Sequence, residues 1–262
     1  VDYDTIKFQI DAGVATLTLN RPERLNAFTD AVHVDIRAAM DVLDRDGTVR
    51  CLVITGAGRG FCAGADLSAR AAQGNAPRDA GASLENNYNP LIRRLRDLAV
   101  PTIAAVNGPA AGAGMSLAMA CDIVIAARSA SFLQAFCNIG LVPDAGSTYF
   151  LPRLIGRQRA AGMALLGEKL PAETAAEWGL IWKCVDDDKL QAEVAALASK
   201  LANGPSKGLG LIKRALQDSW NNDLPRQLDV ERDFQRVAGA SSDFAEGVAA
   251  FLQKRPPKFQ GR

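Results

Sequence analysis

Asn107-Gly-Pro-Ala-Ala-Gly-Ala-Gly-Met-Ser-Leu-Ala118 is the stretch around which the chain is organised. It follows Ile103-Ala-Ala-Val106, an apolar run that reads as a buried strand, and leads into a helix carrying Met115, Leu117, Ala118 and Met119. A strand that enters a small-residue helix start presents unpaired backbone N–H groups at the positive end of the helix dipole. That arrangement suits a developing negative charge such as an enolate oxygen. Taken alone, the same residues also fit a tight strand–helix packing turn. A second segment, Gly60-Phe-Cys-Ala-Gly-Ala-Asp-Leu67, repeats the pattern after the apolar strand Cys51-Leu-Val-Ile-Thr55. Two such loops would make a two-amide oxyanion hole.

The rest of the 262 residues sets the frame. With 48% hydrophobic and 23% charged residues and a net charge of +1, the chain has the balance of a soluble protein with a large core. That neutrality gives no support for broad capture of nucleic acid or of an acidic membrane. No apolar run approaches the roughly 20 residues that span a bilayer. Val1-Asp-Tyr-Asp4 lacks the basic start and apolar core of a signal peptide. Cys51, Cys62, Cys121, Cys137 and Cys184 stand singly, without a C-x-x-C pair, and read as reduced thiols with no zinc site. A cytoplasmic location is the expectation.

Ile6–Ile10 and Val14–Leu19 alternate around Asp11-Ala-Gly13 as a hairpin. Thr29 or Asp30 can cap a helix with Val32, Ile36, Met40 and Leu43 on one face. Residues 68–89 read as a flap with some helix. A basic helix with Leu91, Ile92, Leu95 and Leu98 inward precedes strand Thr102–Val106, and Asp122–Ala126 and Ala130–Leu133 are further strands. Strands alternating with helices predict an α/β core with largely parallel strands. From about Leu154 the pattern turns helical: Gln158–Leu165, Ala172–Trp178, Leu190–Ala202, Lys207–Ser219, Leu228–Ala238 and Phe244–Gln253. The expected organisation is an α/β core over 1–195 and a helical assembly region over 196–262.

In order, Asn20-Arg-Pro-Glu-Arg-Leu-Asn-Ala27, Gly64-Ala-Asp66, Ala104-Ala-Val-Asn-Gly108, Gly112-Ala-Gly114, Cys121-Asp122 and Phe251-Leu-Gln-Lys-Arg255 run the length of the chain. Together they resemble the crotonase superfamily of enoyl-CoA hydratases and isomerases. The resemblance implies a crotonase-like spiral of ββα units with a helical C-terminal region that packs trimers, often paired into hexamers. It implies an acyl-CoA substrate, with no cofactor beyond that coenzyme A; the charge balance and the lack of a long apolar run add the expectation of no nucleic-acid or membrane partner. It further implies that the backbone N–H groups of Ala65 and Ala113 hold the thioester oxygen. Leu25, Ala27, Ala63, Asp66 and Leu67 then line the adenine and pantetheine path, with backbone groups of Ala63 and Asp66 reading the adenine. Phe251 and Lys254 match positions that reach the CoA of a neighbouring subunit, although a Lys at such a site is also the ordinary solvated case.

The hydratases of the superfamily use two glutamates, and this sequence has Ser116 and Phe136 at those positions, both expected to line the substrate pocket. Without them, addition of water lacks its base and acid. Asp144, in Gly140-Leu-Val-Pro-Asp-Ala-Gly-Ser-Thr148, stands where isomerases and a dehalogenase of the superfamily carry a catalytic aspartate; an N-cap is its other reading. Apolar neighbours such as Phe136 and Val142 would desolvate it. One carboxylate that removes and returns a proton fits isomerisation, and further segments, among them Glu177-Trp-Gly-Leu-Ile-Trp182, resemble an isomerase branch acting on aromatic ring-epoxide thioesters. A hydratase-type lyase is the alternative, and an RNA-binding relative using Arg93, Arg94 and Arg96 a third. Asn86, Asn87 and Tyr88 are flap candidates for the acyl pocket. His33, the single histidine, reads as structural or exposed, which argues against a Ser/His/Asp hydrolase.

Overall fold

The computed structural model describes residues 2–68 and 79–261. β1 (Ile6–Asp11) and β2 (Val14–Leu19) form the hairpin, Ile6 opposite Leu19 and Asp11 opposite Val14. Its two loop residues, Ala12 and Gly13, both take left-handed φ, 46° and 78°. A two-residue turn of that hand matches the right-handed twist of the strands it joins. β3 (Cys51–Gly56), β4 (Thr102–Val106), β6 (Ile123–Ala127) and β9 (Lys183–Val185) extend the sheet in parallel, in the order β1-β2-β3-β4-β6-β9. β3 and β4 are buried along their whole length, which is why they read as unbroken apolar runs.

Helix Asp30–Arg45 is capped by Thr29, whose hydroxyl accepts from Val32 N at 3.4 Å, and buries Val32, Ile36, Met40 and Leu43. Helix Leu190–Ala202 packs across β2, β3, β4 and β6 and buries Leu190, Val194, Ala198 and Ala202. A boundary at 195 falls inside this helix. The three helices that follow it, Ser206–Asp218, Leu224–Gly239 and Ser242–Leu252, leave Ile212, Leu216, Leu228, Phe244 and Val248 exposed.

A smaller sheet holds β5 (Ala110–Ala111), β7 (Ser131–Leu133) and β8 (Lys169–Pro171), with β5 parallel and β8 antiparallel to β7. The stretch after Leu154 is thus not helical throughout, since β8 and β9 lie in it. The helix expected over Gln158–Leu165 starts earlier, at Ser147, and runs to Leu166 with one break at Gly156 (φ 75°, ψ 161°). The C-terminal tail is tied back by carboxylates. Asp243 accepts from Gln260 N at 2.6 Å and Gly261 N at 2.8 Å, while Glu246 accepts from both Arg255 NH groups at 2.6 and 2.9 Å. These bonds hold the Glu246 carboxyl down at about 2.

Candidate active site

The site is built from backbone before any side chain enters. After β3, Phe61 N and Cys62 N both donate to Pro109 O at 3.1 Å, and Ala111 N donates back to Cys62 O at 2.9 Å. On the other flank, Ala63 N donates to Leu25 O (2.9 Å), Phe28 N to Gly64 O (2.7 Å) and Asp66 N to Phe28 O (2.9 Å). The residue between those last two bonds is Ala65, paired with Phe28 in a parallel bridge. The ladder directs its N–H away from the partner strand, and it meets no acceptor among the described residues. Ala113 is the first residue of helix Ala113–Ala120, after Gly112 at φ 51°. Its N–H is one of the donors that a helix start leaves without an intrahelical partner.

Two glycines let the loops meet. A Cβ on Gly64 would lie 2.8 Å from Ala111 O and 3.4 Å from Ala113 N, and one on Gly114 would lie 2.3 Å from Cys62 O. No side chain fits in either gap. Both strand–loop units therefore press their backbones together with the Ala65 and Ala113 amides at the seam.

Asp144 is joined to that seam through Ser116. The Ser116 hydroxyl lies 3.1 Å from Asp144 O, 3.2 Å from Gly112 O and 2.6 Å from Ser147 Oγ. Ser116 is fully buried, so its side chain supports the turn beneath the site and faces no open space. Phe136 is buried as well, its ring tip 3.6 Å from where a Gly112 Cβ would stand. The Asp144 carboxylate has one oxygen, Oδ1, shut off from solvent. Val142, expected to help desolvate it, is 75% exposed and supplies no such wall; the enclosure comes from other elements. Ala145 follows at a left-handed φ of 48°, a conformation that costs a non-glycine residue roughly 1–2 kcal/mol and that the surrounding hydrogen bonds offset.

On the other side of Ala65, a cavity of about 510 Å³ is lined by Phe28, His33, Ala65, Asn86, Asn87 and Tyr88, among others. Asn87 is held there by Arg37 (3.0 Å) and Asp30 (3.1 Å). His33 is buried, stacked on Phe28 at 5.0 Å and edge-on to Tyr88 at 4.4 Å. Burial, with the Arg37 charge beside it, lowers its pKa to about 4 despite Asp30, so the ring is neutral at pH 7.

Residues 9–262 match the enoyl-CoA hydratase/isomerase family model. The chain belongs to the enoyl-CoA hydratase/isomerase family. This family member is 56% identical to the 1,2-epoxyphenylacetyl-CoA isomerase of Escherichia coli over 97% of both chains. It is 47% identical, over the full length of both, to a Rhodobacter capsulatus protein named "Probable enoyl-CoA hydratase". Among solved structures, the enoyl-CoA hydratase of Bacillus anthracis superposes with a TM-score of 0.94 at 31% identity, covering 99% of this chain and 100% of that one. The α/β spiral with its helical C-terminal region is thus the crotonase fold.

Within this hydratase/isomerase, the sequence-predicted residues fall into three groups. Leu25, Ala63, Ala65 and Asp66 lie along one ladder, with Ala27 in the turn beside it, and Arg21 clamps the two by bonding Ala27 O at 2.6 Å and the Asp66 carboxylate at 3.0 Å. Ala63 and Asp66 use their N–H groups inside that ladder, so any contact they make with a purine runs through other atoms. Leu67 is 49% exposed at its end. Ala113, Ser116, Phe136 and Asp144 form the second group. Phe251 and Lys254 stand apart on the C-terminal helix and its end; Phe251 is 83% exposed and borders a separate cavity of about 420 Å³. The middle of the expected flap, 69–78, lies outside the described residues. Sequence reading missed Ser147 and Gln134, both fully buried beneath Asp144. A buried polar residue of that kind leaves no periodic signal.

Proposed function

We propose that this chain is an acyl-CoA isomerase in which Asp144 moves a proton while the Ala65 and Ala113 amides hold the thioester enolate. One observation carries the reading: the turn bearing Asp144 is bonded to the oxyanion helix, while the two positions at which hydratases hold their glutamates carry Ser116 and Phe136. The Asp144 carboxylate takes a proton from the carbon chain of the thioester. The electrons of that C–H bond pass into the enolate, whose oxygen two N–H groups stabilise in a site shielded from water. The protonated acid then returns the proton at another carbon. No water is added, and no group beyond the substrate's coenzyme A enters the cycle.

The substrate that best fits is 1,2-epoxyphenylacetyl-CoA, rearranged to the oxepin thioester as the epoxide opens, with Δ3-to-Δ2 shift of enoyl-CoA as a related activity. The 56% identity to an isomerase of that name supports this choice. Leu25, Ala27, Ala63, Asp66 and Leu67 would carry the coenzyme. Phe251 and Lys254 would reach the coenzyme of a neighbour in a trimer or hexamer, built through the helices that leave Leu224, Leu228, Phe244 and Val248 exposed. Incubation with both thioesters in deuterated buffer, followed by mass spectrometry, tests the chemistry. An isomeric product is expected, with deuterium taken up only to the extent that the proton held on Asp144 exchanges before its return; a hydrated product would point to the lyase reading. Sedimentation should show a trimer or hexamer, and a monomer at micromolar concentration would refute the assembly.

A further inference from the structure

The buried polar residues under Asp144 form a chain with a direction. Gln134 Nε2 donates to Ser147 Oγ at 3.0 Å and also lies 3.3 Å from Met115 Sδ. With the Gln134 amide giving its N–H to Ser147, the Ser147 hydroxyl hydrogen has Ser116 Oγ, at 2.6 Å, as its acceptor. The single hydrogen of Ser116 is then directed at Asp144 O and Gly112 O, 3.1 and 3.2 Å away. Ser147 N also donates to Asp144 O, at 3.0 Å. Gln134, Ser147 and Ser116 are all 0% exposed, so water does not compete for these bonds, and each bond polarises the next.

Two features set this apart from an ordinary core network. The chain ends on both halves of the chemistry: Gly112 O belongs to the cap of the oxyanion helix, and Asp144 O to the residue that moves the proton. The turn it fixes carries a strained residue, Ala145 at a left-handed φ of 48°, which the network holds in place. We propose that Gln134, Ser147 and Ser116 are positioning residues that set the Asp144 carboxylate at a fixed offset from the Ala65 and Ala113 amides. This rests on the reading of Asp144 as the proton-transfer group. Ser116 then acts through the main chain of Asp144, at a position where the hydratases of the family act on substrate directly.

The test compares Ser116→Ala, Ser147→Ala and Gln134→Met with Asp144→Asn in the full-length enzyme. Each should be assayed for kcat and KM on 1,2-epoxyphenylacetyl-CoA and Δ3-enoyl-CoA, with the melting temperature alongside. A misplacement of about 1 Å costs on the order of 10²-fold in rate, so the two serine variants should lose about 10- to 100-fold in kcat with KM within about twofold of wild type. Gln134→Met, one link further away, should lose less. Adding Ser116→Ala to Asp144→Asn should cost nothing further. If Asp144→Asn is inactive but both serine variants keep wild-type kcat, or lose activity only in proportion to the unfolded fraction, the positioning role is wrong. If Asp144→Asn itself turns over normally, the proton-transfer reading fails and this inference falls with it.

Discussion

The strand–loop half of the molecule and the C-terminal helices solve opposite problems with the same backbone elements. Around Ala65 and Ala113 the gaps are too narrow for a Cβ, and the polar groups beneath them are fully buried. Helices Leu224–Gly239 and Ser242–Leu252 instead leave Leu228, Val237, Phe244 and Val248 exposed, and Arg232 pairs with Asp229 and Asp233 at half-exposed sites. The proposed site for a transient charge needs donors fixed in advance, and close packing fixes them. The exposed apolar face is the one that the proposed assembly would cover. Substitutions should therefore be severe and local in the first region and mild in the second.

The sharpest way to break that contrast is Gly114→Ala. The added methyl would meet Cys62 O at 2.3 Å, forcing the two amide-bearing loops apart. Loss of an oxyanion donor costs about 10²–10³-fold in turnover, so a soluble Gly114→Ala variant should fall by at least that much in steady-state assays. Near-normal turnover would show that the close approach is not needed.

His33 provides the next effect, in stability. Its folded pKa of about 4 lies below the ordinary 6.5, so the unfolded chain takes up a proton first as pH falls. The stabilisation from keeping the ring neutral is complete above pH 6.5 and is lost between 6.5 and 4. The gap corresponds to a contribution on the order of 3 kcal/mol. Denaturation between pH 4 and 7 should show this loss in the wild type and a flatter profile in His33→Leu. Equal slopes would mean that the ring is hydrated in solution.

The smallest effect belongs to the helical region. Arg232→Ala removes exposed ion pairs, and such pairs contribute little in water; the melting temperature should move by no more than about 1 °C. A larger drop would show that this face is more tightly organised than its exposure suggests.

What was legible in the sequence follows the same division. The glycine loops could be read because a close approach demands Gly64 and Gly114, each in the segment that follows an apolar strand. The hairpin was legible from alternation, and the fully buried β3 and β4 from their unbroken apolar runs. β8 and β9 were not: three residues each, Lys169–Pro171 and Lys183–Val185, are too short for a period to emerge. Val142 read as a desolvating neighbour because it is apolar and near Asp144 in sequence, yet it points outward, since local order does not set the direction of a loop side chain. Ser116 read as a small helix residue facing substrate. Its bonds to Ser147 and to the Asp144 carbonyl span 31 and 28 residues, a separation at which only the fold brings groups together.

The account turns on Asp144, and turnover of Asp144→Asn on 1,2-epoxyphenylacetyl-CoA and Δ3-enoyl-CoA tests it most directly. Asn keeps the volume and is about as good a cap as Asp, but it cannot accept the migrating proton. Proton-transfer groups contribute about 10²–10⁴-fold, and neither Ser116 nor Phe136 can substitute. Turnover should therefore fall to the upper end of that range or beyond, with the melting temperature and coenzyme A affinity nearly unchanged. A folded Asp144→Asn variant with near wild-type turnover on both substrates would contradict it.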